Sequence, residues 1–294
     1  MTDIQSARSI ATPKNPAQPR LAALQSLRGE LVRRRALARQ PQPEGVTAPP
    51  LRLLLGELRS GFESWRAWRE IGESETVAAT QPGAVILLPG FGTHSFRMRA
   101  LRRGLEAAGH RVDDWGLGWN MGGTAEQLDR LCARIEEVAA RQVEPVVLVG
   151  WSLGGIYARE AAKRVPDSVG MVITMGTPFS GDLHANNAWR AYHWITGQDV
   201  ADPPVPGDYA VKPPVRTVAL WSARDGIVSP RAARGRAGER DEAVALRCTH
   251  LGFASHPSVL AELRRLLDAA EPTRVPASIE VYKALGKLAG SKSS

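Results

Sequence analysis

Cysteine is nearly absent from this chain: Cys132 and Cys248 are the only two among 294 residues. Two thiols in unrelated contexts build neither a disulfide framework nor a cysteine-rich metal site, and a reduced, cytoplasmic compartment is expected. Missing too is any stretch near the roughly 18 consecutive apolar residues that a spanning helix needs. Met1 to Arg20 is polar and interrupted by prolines, so no secretory leader is read there. No Walker A pattern, no His-Glu-x-x-His and no paired-cysteine ligand spacing occurs, which removes the common phosphate-loop and zinc-site classes. The glycines of Gly116-Leu117-Gly118-Trp119-Asn120-Met121-Gly122-Gly123 fall one place late for a dinucleotide loop, so a flexible loop is expected instead.

What is present is ordinary globular composition, 43% hydrophobic and 23% charged, with a net charge of +8. The excess is mostly arginine in two runs, Val32 to Arg39 and Arg231 to Arg240. Both are broken by alanine, glycine or glutamate and lack the interleaved aromatics of a base-stacking surface. They read as a solvated face, and no nucleic-acid partner is expected.

The chain divides by pattern. Residues 1–50 form a basic, proline-containing tail with one helix over Leu21 to Arg39, whose apolar positions Leu21, Leu24, Leu27 and Leu31 recur at helical spacing. That helix is expected to dock on the core, with contact to a membrane surface as the alternative. Residues 51–75 read as a second amphipathic helix packing through Leu54, Leu55, Leu58, Phe62, Trp65 and Trp68. From Ala84 the rhythm changes to apolar, β-branched runs alternating with helical segments. Strands are expected at 84–88, 111–115, 146–149, 169–175, 216–221 and 243–247, and helices at 97–108, 124–141, 155–164 and 257–269. Val85-Ile86-Leu87-Leu88 and Val146-Val147-Leu148-Val149 show no polar alternation, as strands buried on both faces do. A doubly wound α/β sheet follows. Residues 180–214 break the rhythm with Trp189, Tyr192, Trp194 and Tyr209 and several prolines, and suit a lid. The catalytic domain is bounded at 76–272, with a tail at 273–294.

The sharpest motif is Gly150-Trp151-Ser152-Leu153-Gly154-Gly155, a G-x-S-x-G between a buried strand and the helical Ile156 to Ala162. A serine on a tight strand-to-helix turn is held in a strained backbone with its hydroxyl projecting from the sheet. Glycines two before and two after let neighbouring backbone approach where a Cβ would clash. The following helix N-terminus offers oriented N–H groups to a developing anion.

On these residues the chain resembles the α/β-hydrolase superfamily, especially its lipase and esterase branch, from Ala84 to Leu267. Leu87-Leu88-Pro89-Gly90-Phe91-Gly92 is similar to that family's oxyanion loop, and Met175-Gly176-Thr177-Pro178 to the G-T-P segment of its lipases. The resemblance implies an α/β-hydrolase fold: a mostly parallel sheet of about six strands flanked by helices, with a lid-like insertion. It also implies the order serine, acid, histidine along the chain. Asp225, in the loop after the strand ending near Ser222, matches the family's D-G-x-V pattern, with Asp199, Asp202 and Asp208 as alternatives inside the lid. His250, in Cys248-Thr249-His250-Leu251-Gly252 after the last strand, matches its H-x-G, with His256 as the alternative.

The oxyanion donors implied are the amides of Leu153, next to the nucleophile, and Phe91. Here the sequence departs from many lipases, which carry His-Gly where this chain has Pro89-Gly90. Gly90, His94, Trp119, Met121 and Trp151 are the expected substrate-binding positions. The expected activity is ester hydrolysis through Ser152, Asp225 and His250 on a small-molecule or lipid-like ester, with no cofactor and no metal. Thioesterase or acyltransferase chemistry on the same residues, or a non-catalytic binding protein of the same fold, are the alternatives.

Overall fold

A computed structural model describes residues 17–62, 65–66, 69, 78–205 and 207–269, and side chains from residue 25 onward. The N-terminal 16 residues, Trp68 and the tail at 273–294 lie outside the described residues.

Helix α1 (Ala17–Ala38) and the short α2 (Leu51–Gly56), extended by a 3-10 turn over Glu57–Arg59, precede the sheet. The rest follows in order: β1 (Ala84–Leu88), β2 (Thr93–His94), α3 (Arg99–Ala107), β3 (Arg111–Asp114), β4 (Trp119–Asn120), α4 (Ala125–Gln142), β5 (Val146–Trp151) and α5 (Leu153–Arg164). Then come β6 (Val169–Met175), α6 (Trp189–Thr196), β7 (Arg216–Ser222), α7 (Pro230–Arg234), β8 (Glu242–Leu246) and α8 (Pro257–Asp268). Six strands form one parallel sheet in the order β3-β1-β5-β6-β7-β8. The expected strands and helices lie where the apolar runs put them, to within about two residues at most ends.

Alternation along each strand divides the core into two layers. Val85, Leu87, Val149, Ile173 and Met175 face one side and pack with Leu101 and Leu105 of α3 and Leu263 and Leu266 of α8. Ile86, Leu88, Leu148 and Val172 face the other and pack with Leu128, Ile135 and Val138 of α4 and Ala158 and Ala161 of α5. Each buried leucine or isoleucine contributes about 1.5–3 kcal/mol, which is why the strand sequences are unbroken apolar runs. Helices α3 and α8 touch closely because Gly104 leaves room for Leu260.

Strand order reverses between β1 and β5, and in open sheets ligands bind beyond the carboxyl ends of strands at such a switch point. Register aligns Leu88 with Gly150, and Trp151 with Met175, so the loops after β1, β5 and β6 emerge side by side.

Two sequence readings change. Leu55, Leu58, Phe62 and Trp65 were expected to pack, yet all are exposed, Leu58 at 83%. The helix instead turns Glu57 and Ser60 inward, with Leu53 and Leu54 half-buried, because a carboxylate and not a leucine meets the groups beneath. In α1, Leu27 and Leu31 are likewise exposed. Docking there is polar: Arg33 Nη1 donates to the Gly197 carbonyl at 2.6 Å and Arg34 Nη1 to that of Ile195 at 2.6 Å, capping the end of α6.

Candidate active site

Strand β5 delivers Ser152 in a conformation few side chains adopt, φ 54° and ψ −123°. Helix α5 starts at the next residue. Its Gly155 stands where any Cβ would fall on Thr177, and Gly154 where one would fall on the main chain of Leu88 and Pro89. The Ser152 amide donates to the Met175 carbonyl at 2.9 Å, tying the turn to the end of β6.

The residue after Met175 is Gly176, with φ 57°, and a Cβ built on it would lie 3.0 Å from each of Asp225 Oδ2, His250 Nδ1 and Phe253 Cδ2. Asp225 Oδ2 and His250 Nδ1 are bonded to each other at 2.8 Å, and both residues are buried. A carboxylate only accepts, so Nδ1 carries a proton, and in the neutral ring Nε2 keeps its lone pair. Asp225 Oδ1 accepts from the amides of Ile227 and Val228 at 2.8 and 2.7 Å, which saturates the acid within its own turn. Burial acts to lower the His250 pKa, but the charge and hydrogen bond of Asp225, with the charge of Glu57, outweigh it and hold it above the ordinary value. Trp151 packs beside the His250 ring, 5.9 Å between centroids.

The loop from Pro89 to Gly92 is braced by a residue that sequence patterns missed. Asn120, buried, donates from Nδ2 to the Pro89 carbonyl at 2.7 Å, and its main-chain carbonyl accepts from the Gly92 amide at 2.6 Å. Gly92 takes φ 68°, and a Cβ on Gly90 would lie 3.2 Å from Ser152 Cβ, so the loop lies against the serine. The two-residue strand β4 turns Asn120 inward and Trp119 outward. Trp119 and Met121 are therefore exposed, and His94 spends its Nδ1 accepting from the Phe96 amide. None of these three lines the cavity beside Ser152.

That cavity lies under residues 183–209. Phe91, Leu153 and Ile156 line it from the sheet side, and Leu183, Trp189 and Tyr192 from the insertion. Its lining is apolar apart from the Ser152 hydroxyl and a few other polar groups. Buried Arg159 anchors the far end of the insertion by donating to the carbonyls of Tyr209, Ala210 and Val211. Of the alternative acids, Asp199 sits near His193 in the insertion, and the alternative base His256 caps α8 by accepting from the Ser258 amide.

His184, His193 and Asp199 bring three ligand-type atoms within 4.8 Å of one another. His193 Nδ1 donates to the Leu37 carbonyl, and its Nε2 lone pair accepts the Val200 amide at 2.9 Å. With that lone pair engaged, the cluster serves as a hydrogen-bonded joint between α1 and the insertion and does not fit a metal.

The α/β hydrolase family model matches residues 85–195, from β1 through the serine turn into α6. The chain has the α/β-hydrolase fold, and over that stretch it is similar to the α/β hydrolase family. It is also 35% identical over 81 residues to the pimeloyl-(acyl-carrier protein) methyl ester esterase of Aliivibrio salmonicida, a match that spans 28% of this chain and 29% of that protein. Among solved structures it resembles a lipase-esterase related protein from Clostridium acetobutylicum, with TM-score 0.50 and 15% identity, covering 64% of this chain and 96% of that one. It also resembles naproxen esterase from Bacillus subtilis, with TM-score 0.45 and 13% identity, covering 70% and 98%. No helix among the described residues is long and apolar enough to cross a membrane.

Proposed function

We propose that this α/β-hydrolase cleaves carboxylic esters of small or lipid-like molecules through Ser152, His250 and Asp225. The observation that carries this is the 2.8 Å bond between Asp225 Oδ2 and His250 Nδ1, with Ser152 on its strained turn facing an apolar cavity. A solvated structural ion pair would not be buried completely at a strand-end crevice with one ring nitrogen left as a base.

In this reading His250 Nε2 takes the Ser152 hydroxyl proton as Oγ bonds to the ester carbonyl carbon. The Leu153 and Phe91 amides receive the oxyanion, Asp225 steadies the imidazolium, and the alcohol departs with the proton. Water, deprotonated by His250, then releases the acid and restores Ser152. The apolar lining favours an uncharged acyl or alkyl group over a charged one. The insertion at 180–214 acts as a cap over that group.

The test is hydrolysis of p-nitrophenyl esters from acetate to palmitate by the wild type and Ser152→Ala. A preferred chain length that disappears in the variant supports the reading. Equal activity in the folded variant, or none in the folded wild type at any length, defeats it.

A further inference from the structure

We infer that Glu57, from the short helix that precedes the sheet, is the positioning residue that sets Asp225 against His250. The inference rests on the reading of those two residues as acid and base.

Glu57 is 4% exposed, and both of its carboxylate oxygens are used. Oε1 accepts from the Gly226 amide at 2.9 Å and from the His250 amide at 2.8 Å, and Oε2 accepts from the Leu251 amide at 2.9 Å. One of these amides follows the acid directly, one belongs to the base itself, and the third follows the base. A single carboxylate thus binds the main chain of two loops that follow different strands, β7 and β8. The Asp225–His250 bond joins their side chains, while Glu57 joins their backbones.

The seat of α2 is built for this. A Cβ on Gly226 would fall on the main chain of Leu53 and Leu54, so the helix rests directly on the acid's loop and only glycine admits it there. Charge-assisted bonds from amides to a carboxylate are stronger than neutral ones, and the Gly226 and His250 amides are buried away from water. Without Glu57 both would be unpaired, and the loops would be free to move apart. The charged groups facing the His250 imidazole are Asp225 and Glu57, while Trp151 and Phe253 supply ring faces.

The experiment compares wild type, Glu57→Gln and Gly226→Ala. Gln keeps the shape but turns an NH2 toward at least one amide, whereas Gly226→Ala keeps the carboxylate and lifts the helix that carries it. Rates are measured on the best p-nitrophenyl ester and normalised to the fraction of Ser152 labelled by a fluorophosphonate. The expected result for both variants is a fall in kcat of roughly 10- to 100-fold with KM changed by less than about twofold, as misplacement of reacting groups gives. The downfield proton of His250 Nδ1, followed by NMR against pH, should titrate at lower pH in Glu57→Gln.

Wild-type kcat and an unmoved His250 titration in Glu57→Gln would overturn the inference. So would a loss that vanishes on normalisation while the titration stays in place, because that is the behaviour of a residue serving stability alone. The NMR readout needs no substrate. If the wild type cleaves no ester, the functional reading falls, and the His250 resonance still decides the role of Glu57.

Discussion

The indole N–H of Trp151 donates to the main-chain carbonyl of His250 at 3.1 Å. This buried bond links the strand that carries Ser152 to the loop that carries His250. Trp151→Phe keeps most of the ring's packing and leaves the His250 carbonyl unpaired. Losing a buried partner costs about 1–3 kcal/mol, and part of that is expected in the transition state. We expect kcat on a p-nitrophenyl ester to fall about tenfold with the thermal midpoint lowered by only a few degrees. An unchanged kcat would show that the indole N–H does not steady His250.

The direction of the His250 shift sets a pH profile. Burial lowers its pKa, but Asp225 and Glu57 together raise it above the usual value near 6.5. In the proposed mechanism His250 works neutral, so kcat/KM should climb as pH rises through a midpoint above about 6.5. In Asp225→Asn the leading upward cause is gone, and the residual activity should have its acid limb displaced downward. The same shift bears on stability: a raised folded pKa contributes fully below the unfolded value and is lost as pH rises through the folded one. Unfolding midpoints of the wild type relative to His250→Gln should therefore decline across that window. An acid limb below 6.5 in the wild type would contradict the assignment.

The parts legible in the sequence were those written in local pattern. Val85 to Leu88 and Val146 to Val149 are apolar without alternation because both sheet faces are covered, and that periodicity is visible without a structure. Ser152 announces itself because its strained turn needs glycine at 150 and 154. Asp225 and His250 were singled out from their strand-end context together with the family pattern, and the structure brings their side chains together. Glu57 could not be found that way. It sits among leucines in a helix whose period suggests an apolar face, and its three partners lie far along the chain. Asn120 was hidden likewise, because the aromatic and the methionine beside it drew the eye while its own amide did the bracing. Residues that act by bonding distant main chain leave no spacing to read.

Gly154 tests the turn itself. A methyl group there would collide with the main-chain carbonyls of Leu88 and Pro89, which belong to a buried strand end and cannot give way cheaply. Gly154→Ala should lose about 1–3 kcal/mol or more, the range for overpacking a tight interior. Urea unfolding would show it as a lowered midpoint at unchanged m-value. A wild-type midpoint would mean that the strand end and the helix separate more readily than their packing indicates.

The cavity makes a prediction about substrate size. Leu183 is half-buried and lines the cavity from the insertion. Leu183→Trp would fill part of that space and change no residue of the serine turn, Asp225 or His250. Each methylene of an acyl chain that loses its place forfeits roughly 0.8 kcal/mol, about fourfold in kcat/KM. The p-nitrophenyl ester giving the highest kcat/KM should therefore shift to a shorter chain, while the acetate is hydrolysed within about twofold of the wild-type rate, since its two carbons need none of the lost volume. If the long-chain esters are cleaved as before, the acyl group does not enter beneath the insertion, and the apolar space holds the alcohol side of the ester instead. Repeating the measurement with the acyl group fixed and the alcohol lengthened would then show the penalty that the acyl series lacked.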